Sequence, residues 1–302
     1  MTTVPRTLPT TISAVVSDVD GTLVTDDKTL TPATVAAVAR LRSNDIAFAI
    51  VSSRPPRGLR MVIDALGITT PVAGYNGGLI ATPGLLALTQ HLLLPAIARQ
   101  VVDVIVAHGA EAWVFSGEDW LAQQPEGAYV DLEQRTIGYP PHIVAEFGGA
   151  LDSAVKIVAV SNDFGLLDKL ELHARAVFAE QATVARSQRY YLDFTHPLAN
   201  KGVALSELAK LLAIPVTEIA VLGDGGNDVA MFGRSGLSIA MGNASPDVQR
   251  AADFVTDHNS RDGFAKAIDK FVLGGSRLNP SASGSAFESH TANKDPMKSG
   301  RA

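Results

Sequence analysis

Residues 12–22 read ISAVVSDVDGT, an apolar run that ends in two aspartates and a glycine. Residues 12–17 are rich in β-branched side chains, which is typical of a buried strand. Ligands in open α/β sheets bind beyond the carboxyl ends of the strands, so Asp18 and Asp20 would lie at such an edge. One carboxylate could act as a nucleophile and the other as an acid or base, and paired oxygen ligands suit Mg²⁺. A merely acidic turn would also explain the five residues 18–22.

The residues that follow predict an alternation of strands and helices. Thr31 and Pro32 have the types expected at a helix N-cap and first helical position. Residues 46–52 form a second apolar run, and a helix is expected over 56–66, ending at Gly67. Helices between fully apolar strands predict a parallel sheet that is covered on both faces.

The same pattern returns near the end of the chain: helix 200–212, strand 218–222, helix 227–233, strand 237–241 and helix 262–272 are predicted. Both tryptophans and four of the five tyrosines lie between these halves. We therefore predict an α/β fold, a doubly wound, Rossmann-like parallel sheet at 10–82 and 199–273, with an inserted α+β domain at 83–198. One continuous sheet with long connections is the alternative. Residues 274–302 have few apolar side chains and are predicted to be a disordered tail.

Composition excludes several classes of protein and site. The 25 Lys and Arg against 31 Asp and Glu give a formal net charge of -6, which argues against a nucleic-acid partner. The absence of cysteine excludes disulfides, thiolate metal sites and a cysteine nucleophile. The N-terminus resembles no signal peptide, and the most apolar stretch, 85–107, is interrupted by polar residues. We expect a cytoplasmic protein without a membrane partner.

Three further stretches place polar side chains at predicted element ends. Ser52 ends the second strand, where its hydroxyl could donate to a phosphate oxygen. Lys201 opens a helix, where an ammonium could neutralise phosphate charge. Residues 223–228, GDGGND, again put carboxylates beyond a buried strand. Taken singly, a helix cap, a solvated lysine and a glycine-rich turn would explain them.

Taken together, these stretches resemble the haloacid dehalogenase (HAD) superfamily of phosphohydrolases. Its four motifs are matched in order by DVDGT (18–22), VSSR (51–54), NKG (200–202) and GDGGND (223–228). YNGG (75–78), AMGNA (240–244) and DGFAKAI (262–268) resemble signatures of its Cof-like subfamily. The resemblance spans residues 12–272 and implies a HAD core, with 83–198 as a type-2 cap.

The resemblance implies a role for each matched position. Asp18 would attack phosphorus and form an aspartyl-phosphate, and Asp20 would act first as acid and then as base. Ser52 and Lys201 would hold the transferring phosphoryl group. Mg²⁺ would be the cofactor, with Asp18, the backbone carbonyl of Asp20, Asp224 and Asp228 as its site. The residues expected to contact substrate are Gly21, Thr22, Ser53, Arg54, Asn76, Gly77 and Asn227.

One position departs from the family pattern. Relatives commonly have glycine where this chain has Ser53, which adds a side chain to a tight loop. We expect this serine to tune the site and not to abolish its function.

The resemblance predicts a phosphatase that hydrolyses a small phosphomonoester, such as a sugar phosphate or a phosphorylated cofactor. A phosphomutase of the same superfamily and a non-hydrolytic phospho-acceptor or binding protein are the alternatives. An acid at Asp20 argues against a dehalogenase and against a long-lived phospho-aspartate. Cap residues would select the substrate, and Arg189, Tyr190, Tyr191 and His196 are the candidates. The sequence does not identify the substrate or the oligomeric state.

Overall fold

The computed structural model describes residues 8–274, so the predicted tail lies outside the described residues except for Gly274. The strands are β1 (Ala14–Ser17), β2 (Ala47–Ile50), β3 (Val72–Gly74), β4 (Leu79–Ala81), β5 (Ala87–Gln90), β6 (Glu111–Ser116), β7 (Asp119–Ala122), β8 (His142–Ile143), β9 (Ala154–Val160), β10 (Thr183–Gln188), β11 (Tyr191–Thr195), β12 (Ile219–Gly223), β13 (Leu237–Ala240) and β14 (Phe254–Val255). The α-helices are α1 (Pro32–Ser43), α2 (Arg60–Leu66), α3 (Pro95–Ala107), α4 (Val130–Ile137), α5 (Phe164–Phe178), α6 (Lys201–Leu212), α7 (Val229–Phe232), α8 (Pro246–Ala251) and α9 (Gly263–Ala267).

A five-stranded parallel sheet forms the core, in the order β14-β13-β12-β1-β2. Alternate residues of β1 enter two different apolar clusters, Val15 on one face and Val16 on the other. Burial of both faces explains why these strands are continuous apolar runs. The sheet confirms the predicted α/β fold class.

Local signals set the helix ends. Thr31 caps α1, accepting a hydrogen bond from the Thr34 amide at 3.1 Å. Gly67 ends α2 with a φ of 57°, in the left-handed region that glycine adopts readily. The first turn of the helix predicted at 56–66 is a 3-10 helix, Pro56–Leu59, a form that is frequent at helix N-termini.

The middle of the chain forms a sheet of its own. Its six strands lie in the order β10-β11-β9-β6-β7-β8. Helices α3 and α5 cover one face, where Val101 and Leu170 are fully buried with Ile157 of β9. The opposite face carries Trp113 and Tyr191 within an aromatic cluster. This separate α+β layer agrees with the predicted inserted domain.

A third, three-stranded sheet in the order β3-β4-β5 was not predicted. Its strands have only three or four residues, too few for a clear periodic pattern. The proposed boundary between residues 82 and 83 falls inside this sheet, since β4 and β5 pair across it. The domain limits therefore stay a prediction. Within residues 8–274, every helix is too short or too polar to cross a lipid bilayer.

Candidate active site

The carboxyl ends of the central strands bring the predicted polar residues together. Asp18 follows β1, and its amide donates to the carbonyl of Leu222 on β12 at 2.9 Å. Lys201, the first residue of α6, reaches the same point, with its Nζ 2.7 Å from Asp18 Oδ1 and 2.6 Å from Asp228 Oδ1. Lys201 and Asp228 are buried almost completely, at 1% and 0% exposure. Residues 18, 201 and 228 thus form one buried ion cluster.

Burial and mutual repulsion raise carboxyl pKa values in this cluster. Burial raises the pKa of Asp18 well above its usual range, and the charges of Asp228 and Asp224 add to this effect while Lys201 opposes it. Burial and Asp228 raise the pKa of Asp224 as well. Burial opposes the positive charge of Lys201, but Asp18 and Asp228 outweigh it and raise the lysine pKa. The cluster and its neighbour Asp224 thus contain one ammonium group and three carboxyl groups.

The loop after β12 is fixed by backbone and side-chain hydrogen bonds. Asp228 Oδ2 accepts from the amides of Asp224 and Gly225 at 3.0 and 2.8 Å. Thr22 Oγ1 donates to Asp224 Oδ1 at 3.2 Å. Gly21 has a φ of 78°, and a Cβ there would lie 2.2 Å from Asp224 Oδ2. The turn after β1 therefore needs glycine so that Asp224 can approach.

This cluster fits a divalent cation. Carboxylate oxygens of Asp18, Asp224 and Asp228 all lie within 4.8 Å of one another. Hard oxygen donors with excess negative charge are the ligands that Mg²⁺ prefers. The side chain of Asp20 is not part of this cluster, and the binding of Mg²⁺ by its backbone carbonyl stays a prediction.

The carboxylate of Asp20 is instead held by two cations. The Arg54 guanidinium donates two hydrogen bonds to this carboxylate, from Nε to Oδ2 at 2.6 Å and from Nη2 to Oδ1 at 2.6 Å. Lys28 Nζ lies 2.8 Å from Oδ1. Burial alone would raise the pKa of Asp20, but these partners outweigh it and lower the pKa to about 2. Asp20 is therefore ionised, in contrast to the raised pKa of Asp18 two residues away.

Two loops that are distant in sequence complete this edge. Ser52 is fully buried, and its Oγ accepts from the amide of Arg54 at 3.1 Å. The Ser52 carbonyl accepts from the amide of Asn76 at 2.8 Å. Asn76 has a φ of 58°, and its Oδ1 accepts from Asn227 Nδ2 at 3.0 Å. Gly77 has a φ of 98°, and a Cβ there would lie 2.6 Å from the Cβ of Ala204 on α6.

A cavity of about 220 Å³ lies between this edge and the aromatic face of the six-stranded sheet. Asp20, Ser53 and Arg54 line it from the core side. Tyr190 and Tyr191, two of the four candidates from the cap, line it from the other side. We name this space the reaction cavity.

The other two candidates do not line the reaction cavity. The guanidinium of Arg189 lies 4.7 Å from the ring centre of Phe164. His196 stacks on His91, with ring centres 5.5 Å apart. Both are thus engaged within the chain by aromatic contacts.

Sequence reasoning missed three charged residues that line the reaction cavity: Lys28, Glu133 and Lys156. Lys156 pairs with Asp193 at 2.8 Å, and Tyr191 donates its hydroxyl to Glu133 Oε2 at 3.2 Å. Burial raises the pKa of Glu133. A signal was present for Lys156, because it is the one charged residue in the otherwise apolar strand AVKIVAV.

The comparisons with known proteins agree with this geometry. The model of a family described as haloacid dehalogenase-like hydrolase matches residues 15–268. A 5-amino-6-(5-phospho-D-ribitylamino)uracil phosphatase of Bacillus subtilis is 25% identical over 284 residues, which cover 85% of this chain and 97% of the relative. Pyridoxal phosphate phosphatase of Escherichia coli is 23% identical over 273 residues, covering 87% of this chain and 100% of the relative.

Solved structures give the same picture of the fold. The crystal structure of a haloacid dehalogenase-like hydrolase from Bacteroides thetaiotaomicron superposes with a TM-score of 0.78 at 24% identity. The match covers 86% of this chain and 99% of that chain. The similarity therefore includes both the parallel sheet and the inserted layer.

Proposed function

The chain belongs to the haloacid dehalogenase-like hydrolase family and is a phosphatase, and we propose that it uses Mg²⁺ and an aspartyl-phosphate on Asp18 to hydrolyse small phosphomonoesters. The observation that carries the proposal is the buried cluster in which Lys201 joins Asp18 and Asp228. Phosphoryl transfer depends mainly on positioning and charge neutralisation, and this cluster supplies both.

Asp18 is the proposed nucleophile. Its carboxylate oxygen forms a bond to phosphorus while the bond from phosphorus to the ester oxygen breaks. Lys201, at 2.7 Å, holds that carboxylate in place and offsets the charge of the phosphoryl oxygens. The buried Ser52 is the proposed hydroxyl donor to the same phosphoryl group.

Asp18, Asp224 and Asp228, with the backbone carbonyl of Asp20, are the proposed holders of Mg²⁺. When bound, the ion would reduce the repulsion between the carboxylates and the phosphate dianion. The closeness of the three carboxyl groups, and the raised pKa of Asp18 and Asp224, support this assignment.

Asp20 is the proposed acid and base. Its ionised state beside Arg54 and Lys28 suits the second step, in which a base takes a proton from the attacking water. In the first step, Asp20 must carry a proton to give to the leaving oxygen. We infer that substrate in the reaction cavity loosens the Arg54 pair and raises the pKa of Asp20 before that step.

The proposed substrates are small phosphorylated metabolites, in keeping with the names of the two curated relatives. A phosphomutase would use the same groups but return the phosphoryl group to an acceptor. A cytoplasmic location and the absence of nucleic-acid and membrane partners stay predictions from the sequence.

The test is hydrolysis of p-nitrophenyl phosphate with and without Mg²⁺, by wild type and by Asp18→Asn. We expect metal-dependent turnover in wild type and none in the variant, which is nearly isosteric and should keep its fold by circular dichroism. Asp103→Asn, on the exposed face of α3, is the matched control and should retain activity. Full activity in Asp18→Asn, or undiminished turnover after chelation, would refute the proposal.

A null result with p-nitrophenyl phosphate needs a second measurement. Beryllium fluoride would trap an analogue of the aspartyl-phosphate if the site is intact, even when the cap rejects a generic ester. Failure to trap would favour the non-hydrolytic alternative. Release of one inorganic phosphate per ester cleaved distinguishes the hydrolase from the mutase.

A further inference from the structure

A second cavity, of about 560 Å³, lies beside the reaction cavity between the core and α4. Four arginines line it: Arg54, Arg57, Arg60 and Arg135. Glu118 is the one acidic residue of its lining. On a chain with a formal net charge of -6, this concentration of positive charge is unusual. We name this cavity the arginine cleft.

The arginine cleft and the reaction cavity share part of their lining. Arg54 and Thr136 line both of them. Arg54 also donates to Asp20, the proposed acid and base. One side chain of the cleft therefore contacts a group that is proposed to take part in the reaction. The two cavities are therefore neighbours, and a substrate that passes Arg54 would reach the cleft.

Two arginines of the cleft, Arg57 and Arg135, are available to a ligand. Among residues 8–274, no carboxylate lies within ion-pair distance of Arg57 or Arg135, and both are exposed. The Arg57 guanidinium stacks on the ring of Tyr139, 4.2 Å from its centre, which fixes its plane. Arg60 donates to the carbonyl of Pro83 at 3.0 Å and lies 4.0 Å from Asp64 Oδ1, so it is partly engaged within the chain.

Tyr139 provides a second, independent observation. It lines the cleft and is only 6% exposed, yet its hydroxyl has no hydrogen-bond partner within the described part of the chain. A buried hydroxyl without a partner is costly, and a small shift of the Tyr139 ring would let it donate to an acceptor oxygen of a ligand.

We propose that the arginine cleft binds a second anionic group of the substrate, a phosphate or a carboxylate, while the first phosphate reacts at Asp18. Planar guanidinium groups match the oxygens of both anions and can bind them through paired hydrogen bonds. The inference rests on the proposed phosphatase function and narrows it to substrates with two anionic ends. No residue of the cleft other than Arg54 was singled out by the sequence.

Binding of non-hydrolysable ligands tests this without relying on turnover. The probes are alkane-α,ω-bisphosphonates with two to eight carbons, compared by calorimetry with alkylphosphonates of the same length in the presence of Mg²⁺. In wild type, we expect one or more chain lengths to bind at least about tenfold more tightly than the matched alkylphosphonate, since hydrogen bonds to charged groups contribute this much.

The variants Arg57→Gln and Arg135→Gln should each lose most of that gain. Arg135 lies in the last turn of α4, and Arg175 occupies the last turn of α5 away from the cleft. Arg175→Gln is therefore the matched control and should keep the full gain. Circular dichroism and the Tm of each variant establish that it is folded.

Two outcomes would overturn the inference. One is that no bisphosphonate binds more tightly than its matched alkylphosphonate, or that the tighter binding persists in both cleft variants. The other is that inorganic phosphate stabilises the protein in an Arg57-dependent way while no bisphosphonate gains, which would mean that the cleft binds a free anion. Turnover of p-nitrophenyl phosphate reports separately on the proposed function, so the two failures are distinguishable.

Discussion

Two aspartates that are two residues apart in sequence have opposite electrostatic surroundings. Asp18 is buried next to Asp224 and Asp228, and its pKa is raised. Asp20 lies between Arg54 and Lys28, and its pKa is lowered to about 2. Divergent environments for paired carboxyl groups are how enzymes divide nucleophilic and acid–base roles. The residue-scale predictions follow from this division.

Replacing Asp20 with Asn should lower kcat by about 10² to 10⁴, the usual contribution of a general acid or base. With p-nitrophenyl phosphate, whose leaving group needs no protonation, the first step can still proceed, and because Asn cannot take a proton from water, the aspartyl-phosphate on Asp18 should accumulate. Rapid-quench labelling with a ³²P-phosphoryl substrate measures the trapped intermediate. Wild-type kcat in the Asp20→Asn enzyme would contradict the assignment.

Glu133 gives a prediction about pH and stability. Burial raises its pKa above the ordinary 4.5, so the folded state binds this proton more tightly than the unfolded state does. Its contribution to the free energy of unfolding is therefore present at low pH and is lost as pH rises through the folded pKa. Glu133→Gln removes this dependence, so the stability of the variant relative to wild type should increase as pH rises above 4.5.

Urea unfolding at several pH values measures that difference. Glu146→Gln, at an exposed position, serves as the control and should show a smaller change. A stability difference between Glu133→Gln and wild type that stays constant with pH would count against a buried, proton-binding Glu133.

At the scale of elements, a helix cap can place a functional side chain as well as set the end of a helix. Asn200 caps α6 by accepting from the Val203 amide at 3.0 Å, and this fixes the start of the helix at Lys201. Gly202 allows α6 to pack closely on α7, because a Cβ there would lie 2.5 Å from the carbonyl oxygen of Ala230. The lysine is thus placed by the geometry of its helix.

The cap of α1 is open to a direct test. Thr31 accepts from the Thr34 amide, and its hydroxyl donates to Asp262 Oδ1 at 2.8 Å. Thr31→Ala should lower the free energy of unfolding by about 0.5–2 kcal/mol, while Thr31→Ser should retain most of it. Urea unfolding of the two variants measures this. Equal losses in both would mean that the threonine methyl group, and not the cap, stabilises α1.

At the scale of the whole molecule, the reaction cavity lies between two layers, the parallel sheet and the six-stranded sheet. The edge of the parallel sheet supplies Asp20 and Arg54, and the aromatic face of the six-stranded sheet supplies the opposite wall of the reaction cavity. Lys156 and Asp193 pair within that wall at 2.8 Å, so the wall is polar as well as aromatic. We therefore propose that contacts from both layers select the substrate.

Mg²⁺ should stabilise the folded protein. An ion that binds only the folded state at 100 times its Kd adds about 2.7 kcal/mol, so Tm should rise on titration with MgCl₂ at constant ionic strength. Asp224→Asn should abolish most of this rise, and Asp103→Asn should leave it unchanged. Calorimetry measures the shifts, and a rise of the same size in Asp224→Asn would exclude Asp224 from the metal site.

The sequence by itself determined the elements and the places where they carry polar residues. Apolar runs such as 12–17 and local caps such as Thr31 depend on neighbouring residues only, so periodicity and residue type were sufficient. Short elements with weak patterns, including β3, β4 and α4, were not predicted.

Only the tertiary structure decided how those polar residues are partnered. Arg54 holds Asp20 across a sequence separation of 34 residues, and Lys156 of β9 pairs with Asp193 of β11. The arginine cleft joins residues of α2 to residues of α4. Such partners meet only when separate strands and helices pack, and a linear pattern does not specify the direction in which each long side chain extends.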